Sequence, residues 1–168
     1  MVRRGFTIVE LLIVIAIMGI LLVLAVVNVR GTQITARDNE RKGDVEATAL
    51  ALENFYRNDF RNTDTGTSSG RYPSTGLIPI VPSVLPDLDP KSYSAPGQTA
   101  SSLIAATNTD QTTTGVTPQP TIDQYVYQPL SHNGTNWVLC SSGECRKFNI
   151  YYRLEADNTV YQLKSKNQ

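Results

Sequence analysis

Residues 3–27 read RRGFTIVELLIVIAIMGILLVLAVV. From Phe6 to Val27 the run is 22 residues long and almost wholly apolar, yet Glu10 stands near its front edge. About 20 apolar residues suffice to cross the hydrocarbon core as a helix. A carboxylate inside such a helix costs roughly 2.5–3.5 kcal/mol on insertion scales, so it marks function and calls for a partner. Arg3 and Arg4 precede the run and only Arg30 follows closely. The positive-inside tendency therefore places the N-terminus in the cytoplasm and the remainder outside.

Three readings compete for this segment. One is an ordinary single-span anchor with Glu10 reaching the interface. The second is a cleaved secretory signal, for which Val23-Leu24-Ala25 supplies small residues. Against it, the run exceeds the usual 7–15 residues of a signal core and Glu10 interrupts it. The third takes Gly5-Phe6-Thr7-Ile8-Val9-Glu10 as one unit. A short basic leader ends in glycine, Phe-Thr-Ile-Val-Glu follows, and an apolar stretch comes next. That pattern resembles the N-terminus of the type IV pilins and the related pseudopilins.

The resemblance implies a concrete history. A prepilin peptidase would cut between Gly5 and Phe6 on the cytoplasmic side. Phe6 would become the new, commonly N-methylated, terminus. The apolar helix would hold the chain in the membrane as a single span, then enter an extracellular helical filament built by pilus assembly machinery. Glu10 then has a role. The α-amino group freed at Phe6, with a reference pKa of about 7.7–8.0, is largely cationic at neutral pH. It lies one helical turn from Glu10. A buried charge is tolerated when paired and hydrogen-bonded, so Glu10 would set register by pairing with the Phe6 amine of its own or a neighbouring copy. Thr7 is expected to cap the helix or bond a nearby carbonyl. Phe6, Thr7 and Glu10 are the candidate assembly residues, and Gly5 and Phe6 the processing residues.

The 168 residues suffice for one small domain and an anchor. Fifteen basic and fifteen acidic residues give no net charge, hence no large field for nucleic acid or acidic substrates. Binding of DNA is compatible with the chain but unsupported by its composition. Cys140 and Cys145 lie in CSSGEC. Two cysteines with no histidine cluster are a weak zinc motif, and an exported location favours a disulfide. Closing so short a ring contributes about 2 kcal/mol in the chain-entropy model. Pilins often carry a disulfide in their C-terminal part, usually around a longer segment.

The chain divides by composition into a leader (1–5), an apolar helix (6–28), its amphipathic continuation (29–60), a Pro/Ser/Thr-rich αβ loop (61–120) and a C-terminal sheet (121–168). Arg30 to Asp44 is polar and mixed in charge, as a solvated helix face is. Val45, Ala49, Leu52, Tyr56 and Phe60 recur at helical spacing, with Phe55 beside them, and form one apolar stripe. A helix from Phe6 to about Asn58 would be roughly 80 Å long. Gly19, Gly31 and Gly43 are its soft points. Pilins often break the helix with a proline after the apolar half, and none occurs here. Eight of the nine prolines fall in 61–120, which excludes long helices there. GRYPS at 70–74 resembles the segment that follows the long helix in that family. Leu77 to Pro86 reads as an ordered apolar loop, Ser101 to Ala106 as a short helical turn, and Gln111 to Pro120 as an exposed loop. Gln124 to Gln128, Trp137 to Leu139, Phe148 to Leu154 and Val160 to Lys164 read as strands, with Asn133-Gly134 and Asp157-Asn158 as turns. The alternation after Phe148 predicts one buried face. The expected class is α+β: a long N-terminal helix whose second half packs on a three- to four-stranded antiparallel sheet.

No catalytic constellation or cofactor motif is visible. His132 is the only histidine and sits beside a turn. Asp87 and Asp89 are too few ligands for calcium. Asn133-Gly134-Thr135 matches a glycosylation acceptor by pattern only. The expectation is a non-enzymatic filament subunit without cofactor. The rival readings are a type II secretion pseudopilin or minor pilin, and a membrane-anchored adhesin or DNA-binding module that never polymerises.

Overall fold

The computed structural model describes residues 6–58 and 70–167, apart from the side chains of residues 26–28, 58, 79 and 80. The leader with Gly5, Phe60 of the stripe, and residues 61–69 of the loop lie outside the described residues. The chain forms two units, residues 1–36 and 37–168.

Helix α1 runs Ile8–Asn58. No proline occurs before Pro73, so nothing removes a backbone donor within it. Gly19, Gly31 and Gly43 all lie in helical conformation. In the first unit no described side chain is buried. Ile8 is 81% exposed and Leu22 68%. This stretch is apolar enough to cross a membrane.

In the second unit α1 is covered on one side. Val45, Ala49 and Leu52 enter a core with Tyr72, Tyr127, Phe148 and Ile150, and Phe55 and Tyr56 flank it. The stripe expected from spacing is thus the buried face. Beyond Gly70 come two 3₁₀ turns, Thr75–Ile80 and Pro90–Tyr93, and the short helix α2, Val81–Val84. Their apolar residues Ile78, Val81, Val84 and Leu85 close the same core.

The sheet has five strands: β1 Leu103–Ala105, β2 Tyr125–His132, β3 Trp137–Leu139, β4 Lys147–Arg153 and β5 Val160–Lys164. The order is β1-β2-β4-β5, with β3 pairing the far end of β2. β4 registers on β2 through Tyr127↔Ile150 and on β5 through Tyr151↔Gln162. The α+β class is the expected one, but the sheet is mixed, because β1 runs parallel to β2. Residues 103–105, read as helical, are therefore a strand. Leu103 packs into the core, and an extended backbone can reach β2 whereas a helical turn cannot.

The second correction concerns the opposite sheet face. Gln111 to Pro120 is not simply an exposed loop. Val116 is 1% exposed and forms a small cluster with Ala106, Val126 and Tyr151. Gln128, in the middle of β2, donates to the carbonyls of Asn108 and Asp110, both at 2.9 Å. Its oxygen accepts from Asn149 and from the Tyr151 hydroxyl. Gln162 donates to the Gln111 carbonyl and to Tyr151. The loop therefore roofs the sheet, and β4 is buried on both faces at Phe148 to Tyr151. Alternation alone puts Asn149 and Tyr151 on a solvent face. They are buried because the loop covers them, and a polar network at their level partners the Asn149 amide N–H and the Tyr151 hydroxyl, while Asn149 Oδ1 has no partner among the described residues.

Candidate assembly site

Among the described residues the N-terminal site begins at Phe6, which is 84% exposed. Thr7 and Glu10 close a reciprocal cap. Glu10 Oε2 accepts from the Thr7 backbone N–H at 2.9 Å and from its hydroxyl at 2.8 Å. Thr7 Oγ1 accepts from the Glu10 N–H at 3.3 Å. Thr-Ile-Val-Glu is the Ser/Thr-x-x-Glu capping box, which supplies partners for first-turn donors. A carboxylate there also meets the positive end of the helix dipole. Glu10 Oε1 carries no bond among the described residues.

Behind this cap, Leu11 to Leu24 expose apolar side chains on every side of the helix. A helix apolar all round belongs in a core or a membrane, and so large an exposed apolar surface marks an interaction site. No described residue covers it, and such a surface suits lipid or other helices.

Arg30 to Asp44 is only partly the solvated face expected from its composition. Arg41 is 1% exposed. Its guanidinium donates to Asp38 Oδ1 at 2.8 Å and to the Ile122 carbonyl at 3.0 Å, and it lies 3.5 Å from Glu155. Asp38 also accepts from the backbone N–H groups of Glu155 and Ala156. Arg37 grips Glu155 with two bonds of 2.8 and 2.6 Å. Hydrogen bonding to Arg37 holds the Glu155 carboxyl below its usual range. Four charges thus tie the helix to the β4–β5 turn. The sequence signalled the charges, and Asp38 and Arg41 pair three residues apart, but Glu155 and Ala156 lie more than a hundred residues away. Asp44 has the opposite fate. Burial, and then the charges of Glu40 and Asp89, push its pKa up to about 6 despite a bond from the Tyr125 hydroxyl.

Cys140 and Cys145 form a disulfide, Cα–Cα 5.6 Å, buried at the end of β3. Tyr72 bridges to Cys145, and Thr75 N–H donates to the Cys140 carbonyl. The small ring therefore fastens the segment that follows α1 to the sheet. His132 is exposed at the β2–β3 turn, edge-on to Trp137. Among the described residues no group of acidic, histidine and cysteine side chains is arranged to hold a metal.

One family model matches the N-terminal segment. Residues 1–26 match the family model of the prokaryotic N-terminal methylation motif. The resemblance to type IV pilins and pseudopilins read from Gly5 to Glu10 therefore holds. The chain is similar to the type IV major pilin protein PilA of Myxococcus xanthus, at 36% identity over 74 residues, 44% of this chain and 34% of that protein. It is also similar to the type II secretion system core protein G of Pseudomonas aeruginosa, at 33% identity over 97 residues, 56% of this chain and 61% of that protein. The core protein G of Pectobacterium carotovorum is 35% identical over 99 residues, 56% of each chain. The chain thus spans between about a third and three fifths of these relatives. No solved structure matches.

Proposed function

We propose that the chain is a structural subunit of a type IV pilus. It is cut between Gly5 and Phe6 by a prepilin peptidase, held in the membrane with its N-terminus cytoplasmic, and polymerised outside the cell through α1. The observation that carries this reading is the methylation motif over residues 1–26 leading into a helix whose apolar surface no described residue covers. Cleavage would leave the Thr7–Glu10 cap intact, because it removes only residues before Phe6. Glu10 Oε1 would then be free to accept from the Phe6 ammonium of a neighbouring copy while Oε2 keeps the cap. One carboxylate would serve the start of its own helix and the register of the next.

The similarity to core protein G supports a second reading, a pseudopilin of a type II secretion system. Two measurements separate the outcomes. Intact-mass analysis of the protein from cells should show a chain beginning at Phe6, one methyl heavier than the bare sequence. Shearing should release it in long fibres if it is a pilus subunit. Cleaved protein retained with the cells favours the pseudopilin. A chain still starting at Met1, or starting after Ala25, removes both.

A further inference from the structure

The second unit is electrically polar along α1. A groove of about 510 Å³ opens beside the last turn of the helix, lined by Tyr56, His132, Trp137, Arg146, Lys166 and Asn167. Lys147 lies over the Trp137 ring, 5.2 Å from its centroid. Burial and the neighbouring Lys164 charge hold the Lys147 ammonium below its usual value. Arg71 and Arg146 share one carboxylate, Glu144. Glu53 lies beneath, bonded to Tyr72, the Lys166 N–H and Asn167. Lys147, Lys164 and Lys166 have no carboxylate partner among the described residues. Among the described residues five cations thus face two anions here, and Arg57 lies in the last turn of the helix. About sixteen helix residues back, roughly 24 Å along α1, the sign reverses. Glu40, Asp87 and Asp89 are exposed. Asp89 is used only to cap the turn at Lys91, and Asp123 only to accept from Gln98. Thr48 donates to the Ser92 carbonyl, which sets the turn capped by Asp89 beside the helix, and buried Asp44 feels the charges of both Glu40 and Asp89, so Glu40 and Asp89 share one shoulder. The cations there are Lys42 and Lys91, because Arg37 and Arg41 are taken by Asp38 and Glu155.

A basic groove and an acidic shoulder at different levels of one chain make a contact that cannot close on itself. Two different patches meeting head to tail generate a ring or an open helix. We propose that the groove at Tyr56, His132, Trp137, Arg146 and Lys166 receives the Glu40–Asp89 shoulder of a second copy of this chain. The proposal rests on the filament reading, and it adds a side contact that chooses the register of neighbouring globular units. Complementary charge chooses partners and orientation more than it adds affinity, which suits a contact whose strength comes from the apolar helices.

The test uses the full chain in its own cells. Lys166 and Glu40 are exposed, and Lys166 serves the fold through its backbone N–H, so substitution leaves the fold in place. The variant carrying Glu40→Cys and Lys166→Cys should give a ladder of disulfide-linked oligomers under mild oxidation, in membranes as well as in fibres. Either cysteine alone should stop at a dimer. Lys166→Glu and Glu40→Lys should each lower sheared-fibre yield about fivefold, and the pair together should recover to within about twofold of the parent. Fibres with no ladder and silent charge swaps would overturn the contact and leave the filament reading standing. A ladder in membranes from a chain that makes no fibres would keep the contact and remove the filament.

Discussion

The two halves of α1 invert the usual rule of burial. Ile8 to Leu24 leave leucines, isoleucines and valines bare. Between Asp38 and Glu53 the helix buries four charged residues, at most 9% exposed. The second half is explained within the chain: each buried charge meets an opposite charge, a hydroxyl or a backbone group, as buried polar groups require. The first half is explained only by what lies outside it. An aqueous monomer gains nothing from such a surface, and lipid or a bundle of identical helices does. One half of the helix is a domain element. On the filament reading, the other is an interface.

The sharpest break of that comparison is Glu10→Leu. If the carboxylate sets register between copies, the variant should insert in the membrane and fold normally, while sheared fibres fall by more than about tenfold, since one uncompensated pairing exceeds about 1.4 kcal/mol. Quantifying sheared protein against total protein measures this. Normal fibre yield would show that Glu10 is only the helix cap seen at Thr7. In the domain half the corresponding break is Arg41→Ala. It leaves the buried Asp38 carboxylate with backbone donors only, and removing one partner of a buried pair costs about 3–5 kcal/mol. Denaturant unfolding of the detergent-solubilised chain should show that loss. A loss under about 1 kcal/mol would place Arg41 among surface charges after all.

How much of this is legible in the sequence differs between the halves for the same reason. The apolar run and the Val45, Ala49, Leu52 stripe are local patterns, and periodicity reads them directly. A cap at Thr7 is expected, but its pairing with Glu10 is not. The partners of Arg41 beyond Asp38, and those of Gln128, are non-local. Arg41 looks like any helix-surface arginine until the β4–β5 turn is in place. Gln128 looks like a solvent-side residue of β2 until the 106–120 loop is laid across it. Short β1 is hidden because three residues, Leu-Ile-Ala, carry too little pattern to separate a strand from a turn. The Cys140–Cys145 disulfide is legible once the chain is read as exported, but its bridge to Tyr72 is not.

Asp44 provides a smaller probe of the domain half. Its folded pKa is raised to about 6 by burial first and then by Glu40 and Asp89, against about 3.9 in an unfolded chain. The folded state therefore binds this proton more tightly. Its contribution to stability is greatest below about pH 4, declines as pH rises to about 6, and is flat beyond. Asp38 and Glu155 are shifted the other way, so their contribution is present at neutral pH and lost on acidification below about 4. Asp44→Asn keeps an oxygen to accept from Tyr125. It should be more stable than the parent at about pH 7, with the gap closing between about pH 6 and 4. A gap independent of pH would show that Asp44 is not titrating there.

The smallest expected effect is the most telling about the interface half. Ile15 is 55% exposed, and its side chain supports nothing in its own domain. Ile15→Ala should change the unfolding free energy of the globular unit by less than about 0.5 kcal/mol, the range of surface substitutions. The same change at a core position costs about 2–5 kcal/mol. If α1 works as an interface, the deficit should appear elsewhere, as fibres that dissociate at lower detergent concentration than the parent's. Unfolding and fibre dissociation measured on one preparation decide the point. A destabilised monomer would mean that the apolar half packs on its own chain. An unaffected fibre would mean that Ile15 faces lipid, and that helix contacts lie on another side of α1.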